Sequence, residues 1–410
     1  MTRPGSSAST SQSSGSRDLH KAVRLPPDRS TGPTPGTRSP ADPVDESHQI
    51  WHTQGQTVVF GTCSVRTDGL GENVTVSLHQ GQTQVVRTRL SRYRKPVTEP
   101  PYRPLDAQVI PRFAGIRTFM RAPHVTDLRG VDAAVYGIPF DTATTYRTGA
   151  RFGPEAIRSA SALIRPYHPV HDVNVVEALS IVDYGDLPVS PGDTERTYGQ
   201  VEDTLAPIVD AGVFPAAMGG DHSITLPELR VLARKHGPLA LVQLDAHADT
   251  WDEYFGQRYF HGTTFKRAAE ERLLEPAASV QAGMRGSVYA AGDLQGARGL
   301  GFTVLTSDEL RALTSEQYAE LVHDKVGERP VFLSFDVDFL DPAFAPGTGT
   351  PEIAGFSTAE AVGFLRALRG INLVGCDVVE VSPSYDGPGQ QTALAAANVL
   401  WELLALRATR

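Results

Sequence analysis

LALVQLDAHAD, residues 239–249, begins as an apolar run and ends on three ionisable side chains. The run 239–244 reads as a strand buried on both faces. Side chains alternate along extended chain, so Asp245, His247 and Asp249 are expected to share one face. Three ionisable groups crowded at the end of a buried strand bring no stability, because each must be taken out of water. They point to chemistry instead. The pattern recurs elsewhere. FPAAM (214–218) runs into Gly219-Gly220-Asp221-His222-Ser223, VFLSF (331–335) into Asp336-Val337-Asp338, and LVGCDVV (373–379) into Glu380. Ligands of open α/β sheets bind beyond the carboxyl ends of the strands. Six candidate metal ligands therefore collect: His222, Asp245, His247, Asp249, Asp336 and Asp338. One divalent ion would leave several of these carboxylates repelling one another, whereas two ions sharing some as bridges would balance the charge. GGDHS lacks the G-x-S-x-G elbow, so Ser223 is not read as a nucleophile.

Working outward, apolar runs fall at 133–140, 213–218, 280–283, 302–305, 331–335 and 373–379. Amphipathic helices are expected at 196–210, 225–236, 262–274, 315–326, 357–369 and 390–406. A further helix is expected to begin at Pro154, whose missing N–H costs nothing in a first turn. Strands alternating with helices indicate an α/β fold, a parallel sheet covered on both faces. Residues 107–410 read as one domain. Residues 1–106 read as a low-complexity, largely disordered extension, since 24 of the first 40 residues are Ser, Thr, Gly or Pro and cannot bury enough apolar surface. A short alternating run at 74–86 suggests a hairpin. The extension is expected to be dispensable for catalysis.

The chain of 410 residues carries 38 Lys plus Arg against 47 Asp plus Glu, a formal charge of −9. That argues against a general nucleic-acid binder. Residues 107–410 alone hold 25 basic and 38 acidic groups, a balance that suits a cationic ligand. Two cysteines make neither a disulfide framework nor a thiolate zinc site. No apolar run has the length of a membrane helix. The N-terminus is rich in Ser and Arg and poor in acids, as transit peptides are, but it forms no good amphipathic helix and has no secretory apolar core. A cytoplasmic location is expected.

GGDHS, DAHAD and SFDVDFLDPAFAPGTGTPE resemble the three signatures of the ureohydrolase family: arginases, agmatinases and related amidinohydrolases. YRTGARFGPEAIR (146–158), His261-Gly262-Thr263 and VVEVSPSYD (378–386) add to the resemblance, which covers roughly residues 107–408. It implies a three-layer α/β/α fold with a parallel sheet of about eight strands, two Mn²⁺ ions, and a trimeric or hexameric homo-oligomer. It implies one ion held by His222, Asp245, Asp249 and Asp336, and the other by His247, Asp245, Asp336 and Asp338. Carboxylates with imidazole and no thiolate also suit Mn²⁺ on chemical grounds. Glu380 matches the family's guanidinium-binding glutamate, and a carboxylate suits a planar N–H fork. His261 matches the family's proton-shuttling histidine, and the leaving amine must gain a proton. Ala248 departs from the Ser or Thr that is commoner in the family.

The expected reaction releases urea from a guanidino compound. The segment 249–265 resembles agmatinases more than arginases, so agmatine, cleaved to putrescine and urea in polyamine synthesis, is the expected substrate. Asp252 and Glu253 are candidate partners for the second charge of that dication. Guanidinobutyrate, guanidinopropionate and proclavaminate relatives share the motifs and remain alternatives. The competing class is a metal-binding pseudoenzyme that uses the extension for interactions. The intact ligand set with His261 and Glu380 argues against it.

Overall fold

The structure, a computed structural model, describes residues 100–290 and 292–410 together with the strand backbones 49–53, 56–60, 73–79 and 82–88. The chain divides into two units, 1–94 and 95–410. In the first, Gln49–Thr53 pairs antiparallel with Gln56–Phe60, and Asn73–His79 with Gln82–Thr88. The second hairpin takes up the alternating run. The disorder read for residues 1–106 falls largely outside the described residues, apart from these four strands and residues 100–106. No helix among the described residues is long and apolar enough to cross a membrane.

The second unit is built on one sheet of eight strands, all parallel. They are β1 (Ala133–Ile138), β2 (Ile181–Asp186), β3 (Phe214–Gly219), β4 (Ala240–Leu244), β5 (Val280–Met284), β6 (Thr303–Thr306), β7 (Val331–Asp336) and β8 (Leu373–Val379). Their order across the sheet is β6-β5-β4-β7-β8-β3-β1-β2. The longer helices are α1 (Gly153–Ser161), α2 (Thr194–Asp210), α3 (Thr225–His236), α4 (Thr264–Glu270), α5 (Asp293–Leu300), α6 (Ser315–Val326), α7 (Thr358–Ala367) and α8 (Gln391–Ala408).

Alternation along the strands divides the interior into two cores. Ala240, Val242 and Leu244 of β4 join Val331, Leu333 and Phe335 of β7 in a core closed by α1, α6, α7 and α8. Leu241 and Phe332 enter the opposite core, which holds Tyr198 of α2, Leu229 of α3 and Phe265 of α4. Burial on both faces is why these strands read as unbroken apolar runs.

Two elements escape that pattern. Strand β2 lies at the sheet edge and carries Asp183, which is buried. Its Oδ2 accepts the Phe119 N–H at 2.7 Å and the Arg158 Nε–H at 2.8 Å, so a partner on α1 allows a charge where the strand should be apolar. Helix α5 contains Gly296 and Gly299, which weaken its helical signal. The helix expected at 262–274 is shorter, a 3₁₀ turn over His261–Thr263 followed by α4.

The four strands that carry the ionisable motifs are neighbours in the middle of the sheet, β4-β7-β8-β3. Because all run the same way, their carboxyl ends open on one edge, and the motifs meet there.

Candidate active site

The loop after β3 must pass very close to its neighbour. Gly220 N–H donates to Ile138 O at 3.1 Å, and Asp221 N–H to Phe140 O at 2.8 Å. A Cβ on Gly220 would stand 2.2 Å from Phe140 O, so only glycine fits. Asp221 then caps the following turn by accepting the Ser223 N–H at 3.0 Å, and it ties down Ala143 at 2.9 Å. Burial, with the Glu380 charge, pushes the Asp221 carboxyl up to about 7.

This turn delivers His222 to the donor cluster. Its Nδ1 lies 2.8 Å from Asp249 Oδ2, 3.0 Å from Asp245 Oδ2 and 3.3 Å from Asp336 Oδ2. Despite these distances Nδ1 is buried and makes no hydrogen bond. The other ring nitrogen, Nε2, sits 2.8 Å from Ser334 Oγ. Beside it, His247 Nδ1 lies 3.0 Å from Asp338 Oδ2 and 3.6 Å from Asp245 Oδ1. Two trios of donors result, His222/Asp245/Asp336 and Asp245/His247/Asp338, each with ligand atoms within 4.8 Å of one another. Asp245 belongs to both. Adjacent ligands on an octahedral cation with bonds of about 2.1 Å are about 3 Å apart, so the separations at His222 suit a shared ion. Burial, reinforced by Asp338 and Asp245, pushes the Asp336 carboxyl well above the usual range. Positive charge between these groups would relieve that repulsion.

The carboxylates converge by a different route from the extended chain expected. Strand β4 ends at Leu244, and Asp245 Oδ1 accepts the His247 N–H at 2.6 Å. Strand β7 gives way to a 3₁₀ turn over Val337–Phe339, where Asp336 Oδ1 accepts the Asp338 N–H at 2.8 Å. In both motifs the first aspartate folds the chain back on itself as an Asx turn. Asp249, at φ 49°, and Glu380, at φ 65°, adopt the left-handed backbone conformation, which costs about 1–2 kcal/mol per residue. Each is held by a backbone bond: Phe265 N–H to Asp249 O at 3.0 Å, and Glu380 N–H to Gly220 O at 2.8 Å.

His261 is fixed at both ring nitrogens. Thr145 N–H donates to Nε2 at 3.1 Å. A backbone N–H can only donate, so the proton sits on Nδ1 and faces Glu380 Oε1 at 2.9 Å. Burial works against charging this ring, yet the carboxylates of Glu380, Asp249 and Asp221 hold it above the ordinary histidine range. Glu380 Oε1 also accepts the His222 N–H at 2.9 Å. Its Oε2 is buried with no partner.

A cavity of about 610 Å³ opens over the cluster. His247, Asp249, Asp336 and His261 reach its wall, whereas His222, Asp245, Asp338 and Glu380 lie behind them. Asp252 and Glu253, expected beside the substrate tail, do not line it. The Asp252 carboxylate turns instead to Arg267 on α4, at 2.5 Å. Three features went unread in the sequence. Trp251, Tyr254 and Tyr289 form an aromatic wall, with ring centroids 4.9 Å apart for the first pair. Arg147 also lines the cavity; it sits inside the YRTGARFGPEAIR segment, but nothing there announces which way it faces. Ser334 supports His222 from the middle of β7, where it reads as one small residue in an apolar strand.

Behind His222 lies a second acidic pair. Tyr136 Oη donates to Glu228 Oε1 at 2.5 Å, and Thr225 Oγ1 to Asp377 Oδ2 at 2.5 Å. Glu228 Oε2 and Asp377 Oδ1 are left as buried acceptors without a donor. Burial, then the Asp377 charge, pushes the Glu228 carboxyl well above its usual range. A proton on Glu228 Oε2, shared with Asp377, satisfies both oxygens. Glu228→Gln is therefore expected to fold with near wild-type stability, since the amide keeps one acceptor and one donor. Glu228→Leu should cost about 1–3 kcal/mol for each group it orphans. Urea denaturation of the two variants measures the difference, and equal losses would refute the shared proton.

The profile of the Arginase family matches residues 131–405. The chain is 47% identical over 306 residues to the guanidinopropionase of Pseudomonas aeruginosa, covering 74% of this chain and 96% of that one. It is 42% identical to the mitochondrial agmatinase of Gallus gallus, over 73% of this chain and 88% of the relative. Among solved structures, the proclavaminate amidino hydrolase from Streptomyces clavuligerus superposes with a TM-score of 0.70 at 44% identity, covering 73% of this chain and 99% of that one.

Proposed function

The chain belongs to the arginase family, and from that we propose that it hydrolyses a linear guanidino compound to urea and an amine with two Mn²⁺ ions. The observation that carries the reading is the pair of adjacent donor trios sharing Asp245, with His222 Nδ1 buried among three carboxylates and making no hydrogen bond. His222, Asp245, Asp249 and Asp336 would hold one ion, and His247, Asp245, Asp336 and Asp338 the other. Divalent ions in such a site supply Lewis acidity and bring the pKa of water from 15.7 to about 7.

The remaining residues act on the substrate. The unpartnered Glu380 Oε2 offers a buried acceptor to a guanidinium N–H. A charged partner of this kind is worth more than a neutral one, because the site excludes water. His261, which carries its proton on Nδ1 toward Glu380 and is made more basic than an ordinary histidine by its carboxylate neighbours, is the group that passes a proton to the departing amine. The aromatic wall excludes water from the linker of the substrate.

Agmatine and the short guanidino acids present the same head and differ only in the tail. The segment 249–265 supports agmatine by its sequence. With Asp252 engaged by Arg267, the carboxylate support expected for a cationic tail from that side is gone. A urea-release panel with Mn²⁺ over agmatine, arginine, guanidinobutyrate and guanidinopropionate tests the proposal. Metal-dependent urea from at least one short compound is expected, with arginine poorer by about 5- to 160-fold, since leaving its α-amino group without a partner costs about 1–3 kcal/mol and 1.36 kcal/mol is tenfold in rate. Two bound ions with no urea from any of the four would mark a metal-binding pseudoenzyme.

A further inference from the structure

The cavity wall holds one arginine, Arg147, and among the described residues its guanidinium is in no ion pair and no hydrogen bond. It is positioned by rings instead. Its Cζ lies 4.9 Å from the Tyr385 ring centroid and 5.6 Å from that of Tyr146. Stacking against aromatic faces fixes the plane of the guanidinium and leaves its edge N–H groups free to donate. An unpaired, pre-oriented N–H fork in a half-enclosed cavity is built for a carboxylate, which accepts two parallel hydrogen bonds from it.

The location relates this fork to the reaction. Gly349 lies between the Arg147 backbone and Glu380: a Cβ there would be 3.1 Å from Arg147 O and 3.3 Å from Glu380 Oε2. The backbone of Arg147 thus passes close to Glu380, which lies behind the wall, while the Arg147 side chain lines the cavity itself, so the head and tail of one short substrate fall to the same region. The other charged side chain lining the cavity away from the donor cluster is Glu352. It is the residue that a cationic tail would use.

We propose that Arg147 reads a carboxylate at the far end of the substrate, and that the enzyme therefore prefers short ω-guanidino acids to agmatine. The proposal rests on the amidinohydrolase reading and adds its substrate class. An α-amino group beside that carboxylate, as in arginine, would bring a cation against Arg147 and is disfavoured.

The test compares wild type, Arg147→Gln, Arg147→Lys and Glu352→Gln on guanidinobutyrate, guanidinopropionate and agmatine. Wild type should favour an acid. Arg147→Gln should lower kcat/KM for the acids at least tenfold more than for agmatine, mainly through KM. Arg147→Lys should recover part of the loss, keeping the charge without the fork. Glu352→Gln should leave the order of substrates unchanged. Wild type favouring agmatine, or Arg147→Gln affecting acids and agmatine alike, overturns the proposal, as does Glu352→Gln selectively impairing agmatine in an enzyme that prefers it. Calorimetric binding of guanidinobutyrate to the Mn²⁺-loaded proteins is measured alongside. If no urea is released, binding that is lost in Arg147→Gln still supports the tail assignment while the reaction assignment fails. Equal binding by both proteins sinks the tail assignment by itself.

Discussion

Asp245→Asn should abolish urea release and strip the protein of metal while leaving its fold intact. Asp245 is the residue common to both donor trios, so neutralising it weakens two coordination shells at once. It also closes the Asx turn through the His247 N–H at 2.6 Å. Asparagine keeps an acceptor there, so the loop is expected to hold its shape and the loss is one of charge. Asp338 belongs to one trio only. Asp338→Asn should therefore keep the ion at His222 and recover part of its activity at high Mn²⁺. Elemental analysis of the purified variants, with urea assays across a metal titration, separates the cases. Full metal content with normal turnover in Asp245→Asn would show that the carboxylate bridges nothing.

The second large effect is expected at His261. His261→Ala should lower turnover by about 10²–10⁴-fold, the usual contribution of a positioned proton donor, with metal content unchanged. The independence follows from geometry. His261 touches Glu380 and Thr145 and stands outside both donor trios. Glu380→Gln should impair turnover too, and also the seat of His222, because Glu380 Oε1 accepts the His222 N–H at 2.9 Å. A His261→Ala protein that loses both ions together with its activity would make His261 a structural support rather than a proton donor.

What the sequence disclosed follows from where each residue finds its partners. Strands β4, β7 and β8 are buried on both faces, so their apolar runs stand out. Strand β2 does not, because Asp183 depends on Arg158 of α1, and no local pattern announces that pairing. The ionisable motifs were visible because each follows directly on a buried strand. Their convergence depends on Asx turns at Asp245 and Asp336 and a left-handed residue at Asp249, not on extended chain, and alternation alone does not announce these turns. Asp252 looked close to the substrate because it follows Asp249, and Arg267 from α4 draws it away. Arg147 was unreadable for the converse reason. Its orientation is set by Tyr385, far along the chain, so its function depends on a contact that only folding creates.

The strand order has a thermodynamic consequence. Strands β4 and β7 lie side by side, although β5 and β6 intervene in the chain. Pairings of this non-local kind are made late and slowly. The motifs that carry the donors are therefore far apart in the unfolded ensemble and come together only in the finished sheet. An ion held by them binds the native state and has almost no affinity for the unfolded one. Free Mn²⁺ at a hundredfold excess over its dissociation constant would then stabilise the native state by about 2.7 kcal/mol for one site. Metal supply would then set how much of the chain is folded as well as how fast it turns over.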